Sequence, residues 1–167
     1  HLHRKQKCGM SLMVKREQQT VAKLDPMSKA LLPVIRYFYL ALNLPASHGW
    51  RHGFDCAIGT WGQERGLVIA NAAQKFIYDL LRGAQSTPHF CDPLDIDTRH
   101  TVTPDEETVL SLLICMRKDE TGKARDIISM LHQGQIDPVF VRHGLELVAT
   151  LDGVPRRVRS PKLKVVK

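Results

Sequence analysis

Apolar positions recur along this chain at helical spacing, most clearly between Trp61 and Leu81. Ile69, Ala73, Phe76 and Leu80 follow at steps of four, three and four, and Ala70, Ile77 and Leu81 widen the stripe. That period puts one apolar face on a helix over about 61–82. Gly62, Gly66 and Ala70 form a second line at steps of four. Their small size lets a neighbouring helix approach closely, although each glycine costs about 1 kcal/mol of helix propensity. Gly83 supplies the stop. A helix this long and apolar is expected to be the hub of an α-helical core.

Upstream, Leu12, Val14, Val21 and Leu24 are loosely spaced, and 12–24 reads as a helix. Asp25-Pro26 is an N-cap followed by proline at the first helical position, opening a helix that runs to about Leu44. Pro33 predicts a kink or a fresh start within it. From Val34 to Leu44 the pattern is apolar nearly all round, so this segment is buried on all sides or meets a partner. Ser47 is placed to cap a shorter helix through His48, Trp50, Phe54 and Ile58, which Gly49, Gly53 and Gly59 weaken. Ala84–Val102 has no periodicity and reads as a long loop, either mobile or held by a ligand.

The C-terminal third has the sharpest signals. Thr103-Pro104-Asp105-Glu106 has the form of a capping box with proline at N1. Val109, Leu112, Leu113 and Met116 make the face behind it, and Ala124, Ile127, Ile128 and Leu131 make a second. Asp137-Pro138 repeats the cap-plus-proline start before Phe140, Gly144, Leu147, Val148 and Leu151. Short connections predict a C-terminal three-helix unit over about 104–151. The fold class expected is all-α: about six or seven helices, with the hub packed against 34–44 and against the C-terminal trio. Residues 1–10 read as a lead or tail, 11–154 as a single helical domain and 155–167 as a basic C-terminal tail.

Composition changes this picture little; charge changes it more. Aromatics are only 6%, so the core is mainly aliphatic. No apolar run reaches the roughly 20 residues of a membrane-spanning helix. The net charge is +7, yet all 17 acidic residues lie within 17–154, against 13 of the 24 Lys and Arg. Both ends are basic and the body is mildly acidic, which counts against a folded, basic nucleic-acid-reading surface. The tail cations Arg156, Arg157, Arg159, Lys162 and Lys164 suit an acidic partner or nucleic acid. The four cysteines form no CxxC pair, and reduced thiols in a cytoplasmic protein are expected.

Candidate chemistry is sparse. His48, His52 and Cys56 are spaced at i, i+4 and i+8, and His89 and Cys91 lie in the long loop. Imidazole and thiolate suit zinc if helix and loop converge. A cysteine nucleophile would need Cys91 or Cys56 beside a histidine base. Asp92, Asp95 and Asp97 read as a solvated acidic loop rather than a calcium site. No serine-elbow, zincin or phosphate-loop motif is present.

Thr103–Leu113 is similar to the opening of the LuxR-type DNA-binding domain, and Ile136–His143 to that family's turn and the start of its recognition helix. The resemblance implies a helix-turn-helix contacting DNA through Arg142 and His143. The stretch between the two pieces is longer than that family's by several residues. The expected function is a non-enzymatic regulatory or adaptor protein acting through helix surfaces, Tyr37, Phe38 and Tyr39 among them, on a protein partner or a second copy. A nucleic-acid-binding regulator and a metal- or cofactor-binding helical protein are the alternatives.

Overall fold

The structure, a computed structural model, describes residues 17–153. Among them six α-helices follow in chain order: α1 Pro26–Asn43, α2 Gly49–Trp61, α3 Gln63–Gly83, α4 Pro104–Arg117, α5 Thr121–Leu131 and α6 Pro138–Leu151. No strand occurs among the described residues; an isolated antiparallel bridge joins Thr20 to Thr101. The fold is all-α, and no helix is long and apolar enough to cross a membrane.

Local chemistry starts three of these helices. The Asp25 carboxylate accepts from Ser28 N at 3.1 Å and opens α1. The Thr103 hydroxyl accepts from Glu106 N at 3.1 Å while Glu106 Oε2 accepts from Thr103 N at 3.0 Å, a complete capping box for α4. The Asp137 carboxylate accepts from Val139 N at 2.9 Å and opens α6. Each satisfies a backbone N–H that the first helical turn leaves without an intrahelical acceptor.

α1 runs unbroken through Pro33, where a kink or fresh start was expected. Proline forfeits one backbone bond, but Leu31, Leu32, Val34, Ile35 and Phe38 around it are all buried. Tertiary packing holds the helix across the defect. The helix expected over 12–24 is absent from its described part. Residues 21–23 form a 3-10 turn, and backbone bonds tie Val21 N to His100 O and Val102 N to Gln19 O, both at 2.9 Å. Those long-range bonds compete with the helix for the same N–H and C=O groups.

The hub helix starts two residues later than predicted. Trp61 ends α2, and Gly62 forms the joint at φ 87°, a conformation that side chains with a Cβ resist. α3 packs against α1, α2 and α6, and α4 packs against α5 and α6. Its face of Ile69, Ala73, Phe76, Ile77 and Leu80 is fully buried, as the stripe predicts. Phe76 stacks on Phe140 of α6 with ring centroids 5.1 Å apart. Burying side chains of this size contributes about 1.5–3 kcal/mol each.

Small residues set the helix contacts. A Cβ on Gly66 would stand 2.6 Å from Ile58 Cα, so α3 meets the α2 backbone directly there. Gly49 and Gly53, read above as weak points of α2, are its contact line with α1. A Cβ at Gly49 would meet Tyr37 O at 2.5 Å, and one at Gly53 the Phe38 ring at 2.8 Å. α3 stops at Gly83 because the His132 ring occupies the space of a side chain there, and His132 Nε2 lies 3.2 Å from Leu80 O.

Candidate functional site

The long loop is held by the chain itself. Arg36 of α1 reaches Glu106 of α4 through Nε–Oε1 at 2.7 Å and Nη2–Oε2 at 2.8 Å, with both side chains almost wholly buried. The same guanidinium donates to the carbonyls of Arg99 and Thr101, each at 2.6 Å. Glu106 also accepts from Cys91 N at 2.9 Å. A buried ion pair survives desolvation only when its remaining donors and acceptors are matched, and here loop backbone supplies the matches. Tyr39 adds a hydrogen bond to Pro88 O at 2.5 Å and a stack on Phe90 at 4.7 Å. The expected mobile or ligand-held loop is therefore pinned by Arg36, Tyr39 and Glu106. Sequence reasoning passed over Arg36, although it is the lone charge in the apolar run 31–44.

The residues proposed for zinc do not come together: among the described residues no group of three or more His, Cys, Asp or Glu side chains is placed to hold a metal. His48 sits at φ 57° ahead of α2, and His52 is exposed with its ring 5.5 Å from Tyr37. Cys56 is half-buried, and burial pushes its thiol up. His89 is exposed, and its backbone N–H bonds the Asp105 carboxylate at 2.6 Å. Cys91 is buried, with Sγ 3.8 Å from Thr101 O and from Thr101 Oγ1. The reactive thiolate beside a histidine that cysteine catalysis needs is therefore not assembled at Cys56 or Cys91.

The aromatic trio divides. Phe38 is fully buried against Trp50 and Phe54, with ring centroids 5.6 and 5.5 Å away, so it is core and not a contact surface as expected. Tyr39 is committed to the loop, and Tyr37 is half-buried against His52. On α6, His143 Nδ1 is hydrogen-bonded to the buried Asp79 carboxylate of α3, so the ring serves the α3–α6 seam. Arg142 is exposed. The expected contacts at Arg156, Arg157, Arg159, Lys162 and Lys164 lie outside the described residues.

A different surface emerges where α4, α5 and α6 meet. A groove of about 180 Å³ is lined by Cys115 and Met116 of α4, Ala124 and Ile128 of α5, and Val141 and Leu145 of α6. Ile136, Asp119, Thr121 and Arg125 complete its lining. Ile136 and Leu145 are 41% and 44% exposed there. Burial, and secondarily the Glu120 carboxylate, push the Cys115 thiol up, so the floor is an uncharged thiol and a thioether. A larger hollow of about 540 Å³ between α3 and α6 is lined by both charge signs, Glu64, Arg65, Lys75 and Glu146, and gathers no catalytic set. Comparison of the chain with protein-family models, curated proteins and solved structures finds no match.

Proposed function

We propose that this protein is a non-enzymatic regulatory or adaptor module that binds a protein partner through the groove between α5 and α6. The observation that carries the reading is the apolar lining of that groove together with the half-exposed Ile136 and Leu145. Its volume of about 180 Å³ falls below the roughly 300–1,000 Å³ of small-molecule sites. It suits one or two aliphatic side chains entering from a partner helix or strand. Aliphatic residues left at a groove mouth mark interaction sites more often than isolated surface residues do. The three described cysteines are free thiols, which suits the reducing cytoplasm proposed as its setting.

The test is a photo-crosslinking amino acid placed at Ile136 in the full chain and activated in cells. The expected result is a discrete crosslinked protein species that disappears when Leu145→Glu is added. Leu145 is 44% exposed, so that change leaves the fold intact. Absence of any Leu145-dependent crosslink would overturn the reading.

A further inference from the structure

We infer that the occupant of the α5–α6 groove is the same groove on a second copy of this chain, an inference that rests on the interaction reading above. The lining carries two opposite charges, Asp119 and Arg125, and neither makes an ion pair among the described residues. Their neighbours do pair: Glu120 with Lys123 at 3.1 Å and Arg117 with Asp152 at 2.8 Å. The groove thus keeps one cation and one anion unpartnered beside an apolar floor. A partner with a separate surface would meet such a groove with its own acid and its own base. A second copy supplies both without any further sequence. In a two-fold contact each residue that meets a different one is met by it in return, so Asp119 of each copy faces Arg125 of the other. The apolar parts match in the same way. Leu145 and Ile136 stand at the mouth, 44% and 41% exposed, and the floor of Met116, Ala124 and Ile128 receives them. Each copy both offers the aliphatic side chains and holds the hollow that takes them.

Reciprocity gives a test that other partners do not pass. Arg125→Asp makes both contacts acid against acid in a homodimer, and Asp119→Lys makes both base against base. Mixed together, the two variants restore opposite charges at both contacts. Sedimentation velocity of the full chain is expected to show a dimer, each variant alone is expected to weaken dimerisation at least about tenfold, and the equimolar mixture is expected to return to within about threefold of wild type. Asp119 holds a left-handed backbone at φ 58°, so Lys there strains the turn. Far-UV circular dichroism checks that both variants keep the fold, and Leu145→Glu gives an independent route to the monomer. A wild-type chain that stays monomeric, variants that dimerise undiminished, or a mixture that stays monomeric would each overturn the inference. A monomeric chain whose Ile136 crosslinks to a different protein would overturn the second copy and leave the interaction reading standing. A monomeric chain with no crosslink would overturn both.

Discussion

At the residue scale the most consequential contact is Arg36 with Glu106, because four loop and cap groups depend on it. Arg36→Met leaves the Glu106 carboxylate buried without its cation, and urea unfolding is expected to show a loss of about 3–5 kcal/mol. Replacing a buried pair by apolar residues is often neutral, but not here. Arg36→Met with Glu106→Leu strands the N–H groups of Cys91 and Thr103, so the double variant should remain destabilised by about 2 kcal/mol or more. Asp25 gives a pH-dependent counterpart. Partial burial raises its carboxyl, but hydrogen bonding from Ser28 outweighs burial and holds it below the ordinary value. A lowered folded pKa means the cap stabilises fully above the ordinary carboxylate range and is lost as pH falls through the folded value. Asp25→Ala should therefore cost about 1 kcal/mol near neutrality. The gap between wild type and variant in thermal unfolding should narrow below about pH 3.

At the element scale, α2 shows how one residue type carries opposite meanings. Gly49, Gly53 and Gly59 look alike in the sequence, and all three lower helix propensity. Only the first two face α1, where a Cβ would collide with the Tyr37 carbonyl or the Phe38 ring. A Cβ at Gly59 meets nothing within 4 Å. Gly49→Ala should destabilise by about 1–3 kcal/mol through overpacking, whereas Gly59→Ala should stabilise by up to about 1 kcal/mol. Thermal unfolding of the two variants checks the pair, and equal signs would refute the contact assignment. Phe38→Ala removes a ring packed between α1 and α2 and should cost about 3–5 kcal/mol.

At the scale of the whole molecule, the Arg36–Glu106 pair joins α1 to the start of α4 and fixes the loop that links the hub to the C-terminal helices. The N-terminal strand of residues 19–21 is tied to the same loop through Thr101, Val102 and His100. Hydrogen exchange should therefore show the amides of Val21, Cys91 and Val102 protected in the wild type and released together in Arg36→Met. Amides in the middle of α3, held by intrahelical bonds and a buried face, should keep their protection. Release confined to Cys91 would show that the loop is pinned piecewise and not through this one pair.

Helix starts and apolar stripes were determined by the sequence alone, because both are written within a few residues. Asp25-Pro26, Thr103 with Glu106, and Asp137-Pro138 each satisfy backbone donors from the adjoining turn. The stripe on α3 reports its buried face directly. What faces what was decided only in three dimensions. Arg36 and Glu106 stand 70 positions apart, and no local pattern joins them. Glu106 already had a complete local role in the capping box, so its buried salt bridge left no separate trace. His48, His52 and Cys56 have ligand-like spacing, but spacing along one helix says nothing about a loop supplying further ligands. The α5–α6 groove depends on how three helices diverge above a shared floor of Cys115 and Met116. Periodicity names the faces that must be buried, and the angles at which helices meet decide which apolar residues are left over for a partner.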